Sequence, residues 1–227
     1  MIPLTDIGEV VLTNRGDGGR DYFLRPSFLA MTRIGSPAEI VSAYAIIHGA
    51  EAQGLVSACA ALCSIMGSLP AWIYSSFERV SDCILAASIH VLQACCDDDL
   101  SDMTGEWGGA EGKIKYAPGL LSRHDIILIA QSLMNHGIIG RAKVRKLQRH
   151  ESNDTTTVFD ALEYINAART HFEMSREDAA NLTMTEFALL LNAKYPNQKG
   201  LTREEYDHVM DEDERRWQEM LAREQLQ

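Results

Sequence analysis

The run Cys95–Asp99 combines two thiols with three carboxylates, which are side chains that bind metal ions. A metal site is therefore the first chemical interpretation of this stretch. Its spacing is unfavourable, because vicinal cysteines rarely both reach one ion and the chain has no Cys-x-x-Cys pair. The three acids also follow an apolar helical pattern, where they oppose the helix dipole and favour the end of the helix. The pattern favours a solvated acidic loop over a metal site.

No other combination of residues predicts a catalytic site. The seven histidines are scattered and form neither an HExxH nor an HxH pair. No GxSxG element exposes a serine nucleophile, and the cysteines lie on predicted apolar helices or at their ends. The glycines of 16–19 lack the pattern of a phosphate-binding loop. We therefore expect a protein that is not an enzyme, with no catalytic, cofactor-binding or metal-binding residues.

Charge and cysteine content narrow the classes of partner and the compartment. The 227 residues carry a formal net charge of −11 and are 46% hydrophobic, which predicts a soluble folded protein and argues against nucleic acid as a partner. Five cysteines do not suggest a disulfide framework, and the first residues do not resemble a secretory signal. A reducing cytoplasm is the expected location.

One basic stretch interrupts this acidic chain. Residues 141–150 hold five lysines or arginines and no acid. A nucleic-acid patch is one interpretation of this stretch. The other is a helix face that is solvated, or paired with the acids of 97–111 or of the C-terminal helix. The negative net charge favours the second interpretation.

The helices that must position any site are organised around the stretch Gly54–Phe77, which has no formally charged side chain. Its length would span a membrane. Pro70 and several serines dilute it, however, and no cluster of Lys or Arg flanks it. We expect a buried pair of short helices that is broken near Pro70 and lies at the centre of a helix bundle, with no membrane contact. A further helix is predicted from about Ser81 to Cys96.

The remaining pattern predicts a mainly α fold, a multi-helix bundle with a small N-terminal β-hairpin and a C-terminal helical subdomain. Residues 1–35 form the hairpin extension, with strands near 9–13 and 21–24 around a glycine-rich turn. Residues 36–150 form the apolar helical core domain, in which 97–116 is a loop. Residues 151–227 form the C-terminal subdomain with a charged last helix. The capping sequences that mark helix starts begin at Ser36, Ser122, Ser175, Thr183 and Thr202.

Residues 175–217 carry a resemblance to a known group of proteins. The segments EFALLLNAKYP and LTREEYD, and the earlier segment RPSFLAMTRIGSPAEIV, resemble proteins encoded among the tail-assembly genes of long-tailed bacteriophages and prophages. The motifs of this poorly characterised group are structural rather than catalytic, so the resemblance transfers no catalytic residue.

The resemblance implies a tail-assembly chaperone-like protein. Such proteins are small, helical and located in the host cytoplasm, where they hold the tape-measure protein and help recruit tail-tube subunits. The resemblance leaves a homo-oligomer open and implies neither a nucleic-acid nor a membrane partner. The alternative is a structural virion component, a minor tail or tail-completion protein located in the virion tail. A third interpretation is a regulatory or host-interaction protein that acts through the basic stretch 141–150.

Five aromatic residues are candidate apolar anchors for a partner: Trp107, Phe187, Tyr195, Tyr206 and Trp217. Large aromatic side chains contribute to protein cores as readily as to interfaces. For each residue taken singly, packing within the chain is therefore the more common role.

Overall fold

The structure is a computed structural model that describes residues 2–16, 19–68, 72–109, 114–141 and 157–195, without the side chains of Met66 and Trp72. The chain divides into two compact units, residues 1–190 and residues 191–227. The described part of the second unit is the end of one helix.

The N-terminal hairpin is confirmed. A 3-10 turn, Thr5–Ile7, precedes β1 (Val10–Thr13), which pairs antiparallel with β2 (Asp21–Leu24). The Thr13 hydroxyl donates a hydrogen bond of 2.7 Å to the Asp21 carboxylate beside the turn. The hairpin packs on the helices, because β2 continues into a backbone bridge between Leu24 and Cys96. This packing supplies the support that an isolated hairpin lacks.

Helices make up most of the rest, which confirms the mainly α fold. In chain order the helices are α1 (Phe28–Ile34), α2 (Pro37–Ile47), α3 (Ala50–Met66), α4 (Trp72–Ala94), α5 (Ser101–Thr104), α6 (Arg123–Met134), α7 (Ala161–Phe172), α8 (Arg176–Asn181) and α9 (Met184–Lys194). A π-helical turn, Asn135–Ile139, extends α6. A second hairpin, β3 (Glu106–Gly108) and β4 (Lys115–Ala117), lies between α5 and α6.

The core lies where α4 packs along α6, with α1 and α2 against them and α7 against α1. Leu85 and Leu92 of α4 and Ile126 and Leu133 of α6 are all fully buried. Each such side chain contributes about 2 kcal/mol through loss of contact with water. The long helix α4 is therefore the central element of the fold.

Four of the five predicted helix starts are capped as expected. The Ser36 hydroxyl and the Glu39 carboxylate form a capping box at α2. Ser122 and Ser175 each accept a hydrogen bond from the backbone three residues on, at 3.2 and 3.1 Å. Thr183 and Glu186 form the box at α9. Thr202 lies outside the described residues.

The prediction that 54–66 forms the centre of the bundle is wrong. Helix α3 packs mainly on α2 and α4. Among its described side chains Cys59 is the buried one, and the others are half-buried or exposed. Its apolar composition indicated burial, but small residues on all faces give no stripe that directs one face inward.

Two further boundaries differ from the prediction. Residues 72–94 form one continuous helix rather than two, because this span contains no glycine or proline that would break it. Part of the predicted loop 97–116 forms α5 and the second hairpin. The domain boundary predicted after residue 150 and most of the basic stretch, 142–150, lie outside the described residues.

Arg25 joins the N-terminal hairpin to the C-terminal helices. Its guanidinium pairs with Glu9, which is 4% exposed, and donates two hydrogen bonds of 2.8 and 2.9 Å to the carboxylate of Glu186. It also donates to the carbonyl of Asn181 at 2.9 Å. The remaining Glu9 oxygen accepts from the backbone of Leu4 at 2.7 Å. One side chain thus connects segments that are far apart in sequence.

Candidate functional site

Two surfaces of the described protein combine apolar exposure with a defined position in the fold. The first consists of α3 from residue 52 on and the first turns of α4, residues 52–66 and 72–77, which we call the apolar arm. From residue 52 to residue 77 the sequence has no formal charge. Val56 is 56% exposed, Ile65 81% and Tyr74 61%. Exposed apolar side chains concentrated in one region of a monomer commonly mark a site of interaction.

The apolar arm also bears on the question of a membrane. Among the described residues, no single helix is both long and apolar enough to span one. Pro37–Ile47 and Ala50–Ile65 satisfy the length and composition test together, with a bend of 43° between them. The sequence window considered as a span, Gly54–Phe77, is instead divided between α3 and α4.

The second surface is an open cleft of about 340 Å³, which we call the Trp107 cleft. One wall is α4, through Ala86, Ile89 and Gln93, and the other runs from Asp99 to Trp107. Trp107 is 36% exposed, so part of the indole faces solvent. This places one of the five predicted anchor residues at a recessed surface.

The second hairpin fixes the position of Trp107. The indole packs against the Tyr116 ring, with 5.3 Å between centroids, and the Tyr116 hydroxyl donates a hydrogen bond to the carbonyl of Thr104. Gly105 has a φ of +79°, and a Cβ atom there would lie 2.2 Å from the carbonyl oxygen of Ala117. The backbones at the base of the hairpin therefore pack too closely for any side chain larger than hydrogen.

The other predicted anchors have different surroundings. Phe187 is 6% exposed and lies in an aromatic cluster, with ring centroids 5.9 Å from Phe28 and 5.8 Å from Tyr164. It therefore packs in the core of this structure. Tyr195 is 54% exposed, with the Lys194 ammonium 5.9 Å from its ring. Tyr206 and Trp217 lie outside the described residues.

The run Cys95–Asp99, which follows α4, is poorly suited to bind a metal ion. Cys95 and Cys96 are buried, and burial raises the pKa of the Cys95 thiol, which opposes formation of the thiolate that metals bind. Asp97 pairs with Arg33 at 2.7 Å, and Asp98 pairs with Arg20. No group of three His, Cys, Asp or Glu side chains in the described residues could hold an ion.

His136 is a buried titratable residue that the sequence patterns do not mark as a candidate for a site. It is 3% exposed in the π-helical turn, and its Nδ1 lies 2.9 Å from the Thr185 hydroxyl. That hydroxyl accepts a hydrogen bond from the Arg141 backbone at 3.0 Å and lies 3.5 Å from the His136 carbonyl oxygen, to which it can donate. Burial and the Arg141 charge lower the pKa of His136. These contacts hold α9 against the π-helical turn.

The sequence signal for the two surfaces was incomplete. The absence of charge in 54–77 indicated an unusual segment, but composition does not say whether a neighbouring element covers it. Trp107 was a candidate because of its residue type. Its opposite wall, Ala86 and Ile89, comes from a helix that no local pattern connects to it.

Comparison with known proteins gives a family but no function. No curated protein and no solved structure matches the chain. A protein-family model described as a family of unknown function (DUF6246) matches residues 24–208, which is most of the chain and includes both surfaces. The chain therefore belongs to this family, DUF6246.

Proposed function

We propose that this chain is a non-enzymatic bacteriophage tail assembly protein, a chaperone-like factor that binds the tape-measure protein, tail-tube subunits or both. The observation that carries the proposal is the exposed, charge-free apolar arm. The resemblance of residues 175–217 to proteins of tail-assembly gene regions supplies the biological setting. The host cytoplasm is the location that this role requires.

The physical argument concerns what a tape-measure protein presents before it is assembled. A long amphipathic helix exposes an apolar face that aggregates unless a partner covers it. An arm without charged side chains can cover such a face without leaving a buried charge unpaired. The net charge of −11 on the rest of the chain would keep the complex soluble.

The test is co-expression with a tape-measure protein of a long-tailed phage or prophage whose genome carries this gene. We expect the wild-type chain to increase the soluble fraction of that protein and to co-purify with it. Val56→Asp and Ile65→Asp should abolish both effects, because each places a charge where the apolar face would bind. Leu162→Asp is the matched control, since Leu162 is 52% exposed on α7, away from the arm. Equal loss in all three variants would contradict the role of the arm.

A structural virion component is the second candidate, and one observation favours it. Within the described residues, β1 pairs with β2 alone, so its outer edge offers backbone groups to a strand of a neighbouring subunit. Quantitative mass spectrometry of purified particles beside the infected-cell lysate separates the two roles. Abundance in the lysate and absence from particles supports a chaperone. A fixed copy number in particles would establish the virion component instead.

A further inference from the structure

We propose that the Trp107 cleft is a docking site for a basic segment of a partner protein, in which a lysine or arginine lies beside an aliphatic side chain. The cleft is separate from the apolar arm. The inference therefore does not depend on the proposed function, and each can fail without the other.

The carboxylate in the lining of the cleft favours a cation. Asp99 and His90 are the titratable residues that line the cleft, and the exposed residues Asp102 and Glu106 follow Asp99 in the chain without lining it. Within the described part of the protein, none of these three carboxylates forms an ion pair, whereas Asp97 and Asp98 are already paired with arginines. Unpaired charge at the rim of an interface speeds the encounter with a partner of opposite charge and disfavours others.

The walls of the cleft supply the apolar part of recognition. Ala86 and Ile89 form a small aliphatic surface on α4, and the indole of Trp107 faces the cleft from the other wall. An indole ring attracts an ammonium or guanidinium group over its face and packs against the aliphatic stem of the same side chain. This combination fits a basic residue that is followed or preceded by an aliphatic one.

Trp107 is exposed but its position is fixed. The Tyr116 ring packs on the indole, and the guanidinium of Arg123 lies 4.9 Å from the centre of that Tyr116 ring. The close approach of Gly105 to Ala117 anchors the base of the hairpin. A side chain that is already ordered loses little conformational entropy on binding, which is the property of an interface hot spot.

The experiment measures binding of a short fluorescein-labelled peptide in which one lysine beside one leucine is flanked by glycine and serine, so that it forms no amphipathic helix for the apolar arm, with fluorescence anisotropy as the readout. A peptide with glutamate in place of lysine is the charge control. We expect the full-length chain to bind the lysine peptide and not the glutamate peptide. Trp107→Ala should weaken binding about tenfold or more, as truncation of a hot-spot aromatic does. Asp99→Asn should weaken it by about two- to fivefold.

Three variants guard against an effect of misfolding. Asp99→Asn keeps an acceptor for the Ser101 backbone amide, which donates to the Asp99 carboxylate at 3.0 Å. Ala86→Arg changes an exposed helical position, fills the cleft with a positive charge, and should abolish binding without altering the second hairpin. Leu162→Asp, on α7 and outside both surfaces, should bind the lysine peptide as the wild-type chain does.

Three results would overturn the proposal. Equal affinity of the wild-type, Trp107→Ala and Ala86→Arg chains would show that the peptide binds elsewhere. Equal binding of the glutamate peptide would show that charge does not select the partner. A wild-type dimer that Ala86→Arg dissociates in analytical ultracentrifugation would assign the cleft to a second copy of the chain.

Discussion

Replacing Arg25 with methionine should destabilise the protein strongly, because it leaves two carboxylates without their cation. Arg25 pairs with Glu9 and with Glu186, and the side chains of the two acids are 5% and 21% exposed. After the substitution, Glu9 keeps one donor, the Leu4 backbone amide. Glu186 keeps its capping bond from Thr183. The cost is therefore mainly that of charge left uncompensated in a low-dielectric environment.

Removal of one partner from a buried ion pair typically costs about 3–5 kcal/mol. Because the Arg25 side chain is 28% exposed, solvent screens part of this, and we expect about 3 kcal/mol. In a folded unit of this size, that loss lowers Tm by about 6–12 °C. Urea unfolding followed by far-UV circular dichroism measures the free energy, and differential scanning calorimetry measures Tm.

Two comparison variants identify the cause. Arg33→Met removes the ion pair between Arg33, whose side chain is 43% exposed, and Asp97, whose side chain is 88% exposed. This substitution should lower the free energy of unfolding by about 0.5 kcal/mol or less. Adding Glu9→Gln and Glu186→Gln to Arg25→Met should recover much of the lost stability, because no buried charge remains. If Arg25→Met costs no more than Arg33→Met, or if the added glutamines recover nothing, the electrostatic argument is refuted.

The remaining predictions concern backbone, pH and thiols. Gly105→Ala should destabilise the protein by more than about 1 kcal/mol in urea unfolding, because the new methyl group would collide with β4, whereas Gly67→Ala has open space and should cost less. Stability should fall as pH drops below about 6.5, since the unfolded chain then binds a proton that buried His136 takes up less readily. Urea unfolding at neutral and mildly acidic pH should show that His136→Asn weakens this dependence. A thiol reagent should modify Cys63 and Cys83 rapidly in the native protein and the three buried cysteines after unfolding.

Local sequence patterns predicted the local features of the fold. The capping sequences at Ser36, Ser122, Ser175 and Thr183 gave helix starts that the structure confirms, because a cap needs residues within one turn of each other. The first hairpin was predictable for the same reason. Its two strands and its turn are contiguous in sequence.

Features that depend on distant residues were not predictable. An apolar segment such as 54–66 can be covered by the core or left exposed, and the outcome depends on where α2 and α4 end. The hydrogen bonds of the Arg25 side chain join residues up to 161 positions apart. For the candidate site, the residue type of Trp107 was informative, but the wall of α4 that completes its cleft required the tertiary structure.

The contacts of residues 25–28 have a consequence for synthesis of the chain. The Phe28 backbone binds the Leu182 carbonyl, Ser27 bridges to Thr183, and Arg25 reaches a carbonyl 156 residues ahead. At about 5–20 residues per second, a ribosome needs about 8–30 s to deliver those partners. Until then the Phe28 ring of α1 has no contact with Phe187 on the nascent chain. Synthesis of residues 181–183, and not of the first helices, therefore determines when the contacts of residues 25–28 can form.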